Sequence, residues 1–341
     1  MSHLNSNFGI VAEYGNNDVV IFDTDNLTVL HTIALPANDY IDVAITPDNS
    51  RAVITSFNNA TLIQLDLLKE PPVVIDTALD PPPSLPFEDI DITPDGRFAL
   101  IADGGSTTAV RSYSLLNKTI LSKLSSVANA VAVSPNGNGL VLVVETGDYK
   151  VRSFNIDNNG ILTDTGVETN TGGLRPINIT FSPDGKFAFV ANRISNDVGI
   201  LDTKIPSSIS LLNNVSTNSE PGTIVVSSDG KKVYVLTRNT VDVFEFTSTF
   251  PFLTQVNSFN HGTSTTTKYG VDLMALNATE DKLFISHYTD LSAFDTNGTS
   301  LGTVSGVQPG DGGVAIRKTL FALIDSINFT SEIIDRGNII Q

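Results

Sequence analysis

The sequence predicts an all-β chain, a β-propeller of four-stranded antiparallel blades, with residues 1–341 forming a single domain. Three observations predict it. A unit built around a tight Pro-Asp-Gly turn recurs along the chain, and each copy alternates short apolar runs with polar turns. No segment sustains the 3.6-residue apolar period of a helix.

The clearest copy is FSPDGKFAFVANRISNDVGILD at 181–202. Related text stands at 43–66, 90–114, 131–155, 224–246 and 273–295. The turn falls at Pro47, Pro94, Pro135, Pro183, Ser228 and Ala278, with spacings of 47, 41, 48, 45 and 50 residues. Such a period belongs to a stacked repeat.

Each element has a physical reason. The inner strand, ITF at 179–181 in this copy, is small or apolar throughout, as a strand covered on both faces must be. In Pro-Asp-Gly, Pro fixes φ, Asp bonds the local backbone and Gly accepts positive φ. KFAFVAN forms the second strand. VGILD forms the third, closed by a turn-favouring Asp-Thr pair that recurs at Asp23-Thr24 and Asp295-Thr296. A variable segment, TVLHTIAL at 28–35 or FLTQVNSF at 252–259, forms the outermost strand. One such sheet has two apolar faces and must stack against neighbours around an axis.

Counting blades gives two answers. Hairpins of the second and third strands begin near residues 8, 51, 97, 139, 186, 231, 282 and 319, which favours eight blades. Inner strands number seven, ending with GVAI at 313–316. Seven blades is the alternative, with GVAI completing the N-terminal blade and the final TLFALIDSINFTSEIIDRGNIIQ left over.

The order SPDGK, FVAN and SNDVGILD resembles the YVTN family of β-propeller repeats, and the resemblance runs along almost the whole chain. It implies the fold more than an activity. YVTN-like propellers include surface-associated proteins, and related seven-bladed propellers include the lactonase family and the heavy subunits of some dehydrogenases.

Composition narrows the function. With 37 acidic and 20 basic residues the formal charge is −17, which disfavours binding to nucleic acid or an anionic membrane surface. The chain has no cysteine, which excludes disulfides, thiolate metal sites and cysteine nucleophiles. Its histidines, His3, His31, His261 and His287, show no metal-ligand spacing, and no Ser-His-Asp arrangement can be assigned to them. No apolar run reaches the roughly 18 residues of a spanning helix, and MSHLNSNFGIVAEYG does not read as a signal peptide.

Chemistry in a propeller is expected at the mouth of the central channel, in the loops entering the inner strands. Those loops bring Asp42, Asp89, Asp91 and Asp272, with Glu88, Glu220 and Asp311 nearby. Arg175 reads as the only cation next to an inner strand at this end. Asp42, Asp89, Asp91, Arg175 and Asp272 are therefore the candidate residues for a ligand or a cation such as calcium. A solvated acidic surface is the plainer reading. Asp91 occupies a slot that other copies fill with Ala44, Ala132, Thr180, Val225 and Ala275, so it needs a hydrogen-bonding partner.

Other patterns fail. NIDNNG at 155–160 imitates a calcium loop but has Asn at the first ligand position and Gly166 in place of the bidentate Glu. ADGGSTT at 102–108 lacks the Lys and the helix of a phosphate loop. The eight N-x-[ST] sequons follow from an Asn/Thr-rich composition, since Asn178 falls in an inner strand. DPPPSLP at 80–86 reads as a stiff connector.

These features favour a non-enzymatic binding or scaffold propeller that presents its loop faces to a protein or glycan, at the cell surface or outside the cell. The alternative is a lactonase-like hydrolase or isomerase with its site at the channel mouth. An electron-transfer subunit ranks last, because no residue pattern would hold a redox centre.

Overall fold

In the computed structural model the repeat closes into a ring. The structure describes residues 7–36, 39–56, 61–79, 87–104, 109–126, 128–262, 271–310 and 312–317. Within them lie seven four-stranded antiparallel sheets and no helix. Blades 2 to 7 are each built from consecutive strands, within residues 40–79, 87–125, 128–170, 176–216, 221–260 and 274–304.

Blade 1 is assembled from both parts of the chain. Its three outer strands are Phe8–Glu13, Asp18–Asp23 and Thr28–Ala34, and its inner strand is Val314–Ile316. Gly9 pairs with Ile316 and Val11 with Val314. This corrects the count of eight blades to seven: GVAI supplies the inner strand that the first hairpin lacks. The hairpin text from 318 onward and the DPPPSLP connector lie outside the described residues.

Seven apolar clusters fill the seven interfaces between successive blades. Phe8, Ile10 and Ile21 meet Val43, Ile54 and Ile63 between blades 1 and 2. Phe189 and Ile200 meet Ile224, Val235 and Phe244 between blades 5 and 6. Phe284, Leu291 and Ala293 of blade 7 meet Val11, Phe22 and Val314 of blade 1, closing the ring. Each fully buried side chain of this kind contributes about 1.5–3 kcal/mol. The sheets therefore stand or fall together.

The repeated turn behaves as its sequence dictates. Thr46, Thr93, Ser182 and Ser227 each donate a hydroxyl to the Asp two residues on, at 2.6–2.7 Å. That Asp accepts the amide of the residue two further along: Asp95 that of Arg97, Asp184 that of Lys186 and Asp229 that of Lys231. Gly185 in between has φ +68°, a conformation that costs glycine nothing.

A second repeated feature lies at the opposite ends of the inner strands. In blades 2 to 5 the ladder slips by one residue, leaving Ile41, Glu88, Asn129 and Ile177 as the extra residue of a β-bulge. Bulges re-aim side chains, and these stand around the channel mouth.

Candidate functional site: the channel mouth

The inner strands Tyr40–Ile45, Phe87–Ile92 and Pro176–Phe181 each place a polar side chain just after the bulge: Asp42, Asp89 and Asn178. Asp272 lies two residues before the inner strand of blade 7, Met274–Leu276. These four residues, from blades 2, 3, 5 and 7, converge on the axis. Asn178 donates from Nδ2 to Oδ1 of Asp272 at 3.2 Å. Asp42 is wholly buried, Asp89 almost so, and the two carboxyls are neighbours.

Burial raises the pKa of Asp42 well above the ordinary carboxylate range, and the charge of Asp272 adds to the rise. Burial likewise raises Asp89, with further contributions from the charges of Asp42 and Asp272. Both oxygens of Asp42 are shielded from water, which disfavours the charged form of its carboxyl. Among the described residues, no group of three His, Asp or Glu side chains is arranged to hold a metal ion.

Asp89 and Asp91 also join blade 3 to blade 4. Asp89 accepts the amides of Ile90 at 2.8 Å and Val131 at 2.7 Å, and Asp91 accepts those of Ile92 and Val133, both at 2.7 Å. The partner that Asp91 needed is thus provided by backbone of its own and the next inner strand. Asn178 and Thr223 make similar bridges, Asn178 accepting from Ile224 at 3.4 Å and Thr223 from Leu273 at 2.9 Å.

Arg175 stands at the entrance of Pro176–Phe181, with φ +58°. It is not the only cation there. Its carbonyl accepts the amide of Arg193, which begins the turn after the strand Phe187–Asn192. Arg193 Nε donates to Glu220 Oε2 at 2.9 Å, and Arg238 Nη1 lies 3.5 Å from Glu220 Oε1. Arg238 N also donates to the Glu220 carbonyl, so backbone and side chain fix the same pair. Arg193, Glu220 and Arg238 therefore form a two-guanidinium clamp on one carboxylate between blades 5 and 6. Arg193 and Arg238 were missed in the sequence because they lie in turns after second strands, not in the loops entering inner strands. The signal was there: each follows the last polar residue of its strand, Asn192 or Thr237.

His261 and His287, left without partners by the sequence, partner one another. Their rings stack at 5.1 Å with 25° between planes, both buried at the mouth end between blades 6 and 7. Burial, with a contribution from His261, lowers the pKa of His287 to about 4, so it is neutral near pH 7.

The fold and mouth define a seven-bladed propeller whose channel entrance carries a buried acid cluster on the axis and an arginine–carboxylate clamp between blades 5 and 6. Residues 125–265 match the family described as lactonase, 7-bladed beta-propeller. Over that stretch the chain is similar to lactonase-type propellers. A 115-residue stretch is 30% identical to the 6-phosphogluconolactonase of Bacillus subtilis (strain 168), covering 31% of this chain and about a third, 33%, of that relative.

Among solved structures, a functionally unknown protein from Desulfotomaculum acetoxidans is 45% identical, with a TM-score of 0.87 over 92% of this chain and 99% of that one. The periplasmic gluconolactonase of Pseudomonas aeruginosa shares the fold at 16% identity, with a TM-score of 0.70 over 91% of this chain and 98% of that one. The lactonase match corrects the expectation of a non-enzymatic scaffold for a protein or glycan. The matched residues contain the arginine clamp, and they favour the hydrolase alternative.

Proposed function

We propose that the chain hydrolyses a lactone at the channel mouth, using Arg193 and Arg238 as the electrophilic side of the site. The observation that carries this reading is the Arg193–Glu220–Arg238 clamp, which lies entirely within the residues matching the lactonase family. A lactone is a cyclic ester. Water adds to its carbonyl carbon, negative charge gathers on the carbonyl oxygen, and the ring C–O bond then breaks to leave a carboxylate and a hydroxyl.

Guanidinium groups held in place before the reaction stabilise that oxygen without reorganising. They also suit an anionic substituent, since Arg binds carboxylate or phosphate through paired N–H donors. Glu220 keeps both guanidiniums at the entrance. The named relatives point to aldonic sugar lactones, with or without a phosphate, as the class to assay first.

The test is proton release from glucono-1,5-lactone and 6-phosphoglucono-1,5-lactone at constant pH, corrected for uncatalysed hydrolysis. The reading expects turnover of at least one, lowered about 10²–10³-fold in Arg193→Ala and in Arg238→Ala while the proteins remain folded. No rate above background with either lactone would overturn it.

A further inference from the structure

We propose that Glu88 is the proton-transferring residue of this mouth, an assignment that rests on the hydrolase reading above. Four observations converge on it. Glu88 is the extra residue of the bulge in the inner strand of blade 3, with Phe87 opposite Asp103 and Asp89 opposite Ala102. The equivalent bulge residues of blades 2 and 5, Ile41 and Ile177, are apolar and buried. In blade 4 the equivalent is Asn129, and it donates to Glu88 Oε2 at 2.9 Å. Two adjacent bulges are thus spent on holding one carboxyl in place.

The second observation is the space made for it. A Cβ on Gly104 would lie 1.8 Å from Glu88 Oε1, so only glycine at 104 lets the carboxyl occupy this place. Gly104 belongs to the ADGG segment that fails as a phosphate loop.

Third, the mount runs on toward the arginines. Asn129 Oδ1 accepts the amide of Thr146 at 3.4 Å, and the Thr146 hydroxyl donates to the carbonyl of Pro176 at 2.6 Å. Pro176 follows Arg175, whose carbonyl binds Arg193. Hydrogen bonds and the Arg175–Pro176 peptide link together therefore tie Glu88 to the segment that carries the clamp.

The fourth is the electrostatic setting. The charged groups on the surrounding strands are otherwise engaged: Asp89 with two amides, Asp103 with Arg111 and Glu145 with the hydroxyl of Ser126. On the neighbouring inner strand, Asp42 faces Asp89. Burial raises Glu88 to about 7, and the Asn129 hydrogen bond partly opposes the rise. A carboxyl so placed exchanges a proton readily near neutrality.

The step balances within the site. The Glu88 carboxylate takes a proton from water as the water oxygen bonds to the carbonyl carbon, and the carbonyl π electrons move to the oxygen facing the arginines. When that intermediate collapses, the ring C–O bond breaks and Glu88 returns the proton to the departing ring oxygen. The new carboxylic acid then ionises, releasing one proton to solvent.

The experiment is the pH profile of kcat/KM for hydrolysis of glucono-1,5-lactone and 6-phosphoglucono-1,5-lactone. Wild type should show a limb rising with pH near 7. Glu88→Gln should lower kcat by roughly 10²–10⁴-fold and abolish the limb. Asn129→Ala keeps the carboxyl but removes a bond that favours its ionised form, so the limb should move to higher pH. A folded Glu88→Gln protein with the wild-type limb intact overturns the assignment while leaving the hydrolase reading standing. A wild type that turns over neither lactone overturns both.

Discussion

Asn178 and Asp272 are hydrogen-bonded at 3.2 Å although they belong to blades 5 and 7, so the two side chains meet on the axis and not along a blade interface. With Asp42 and Asp89 they make a polar plug in which the carboxyls are too crowded and too dry to be charged together.

The plug has a definite pH signature. Asp42 and Asp89 have native pKa values above those of the unfolded chain, so the native state holds more protons in between. Their stabilising contribution is complete below about pH 4, the ordinary Asp value, and is lost as pH rises through the raised values. Asp42→Asn should therefore be more stable than wild type above neutrality, by more than about 1 kcal/mol, with the gap closing toward pH 4. Denaturant midpoints at pH 4.5 and pH 8.5 check this, and a gap of the same size at both would refute it.

Arg111 and Asp103 form an ion pair with almost no exposure, at 2.7 Å, and the guanidinium lies 5.1 Å from the ring centre of Phe87. Asp103→Ala leaves a buried cation and should cost about 3–5 kcal/mol. Replacing both residues with apolar ones of similar volume should recover most of that loss. Urea unfolding of the single and double variants measures it.

The closing blade depends on one glycine. A Cβ on Gly9 would lie 2.3 Å from the Phe22 ring and 2.4 Å from Ile316 Cδ1. Gly9→Ala should cost about 1–3 kcal/mol through overpacking. Ile316→Val in the same chain should return part of it, which a double-variant cycle of melting temperatures would reveal.

The clamp predicts anion sensitivity under the hydrolase proposal. Inorganic phosphate should compete with the lactone in wild type, and the competition should weaken at least about tenfold in Arg238→Ala, given the strength of charge-assisted pairs. Inhibition constants at fixed ionic strength decide it. Equal constants in the two proteins would remove the clamp as the anion-binding element.

The blade and the mouth differ in how much of them the sequence revealed. The Ser/Thr-Pro-Asp turn is local, so its hydroxyl–carboxylate bond could be read from adjacent letters. The closure could not, because Gly9 meets Ile316 only across the whole ring, and a first hairpin without an inner strand mimics an extra blade. The acids entering the inner strands were visible, yet only the ring brings Asp42, Asp89 and Asp272 together. Glu88 looked like one acid among many. What distinguishes it is a one-residue slip in the ladder and the glycine beneath it, neither of which alternation of polar and apolar letters encodes.

Because blade 1 borrows Val314–Ile316, its first three strands leave the ribosome some 280 residues before the partner that completes them. Until then Val11, Val20 and Phe22 belong to an unfinished wall, uncovered until blade 7 and Val314–Ile316 arrive to pack against it. Synthesis of this chain thus carries its most vulnerable surface from near the beginning to near the end, and whatever shields that edge in the meantime governs how much of the protein survives to seal the circle.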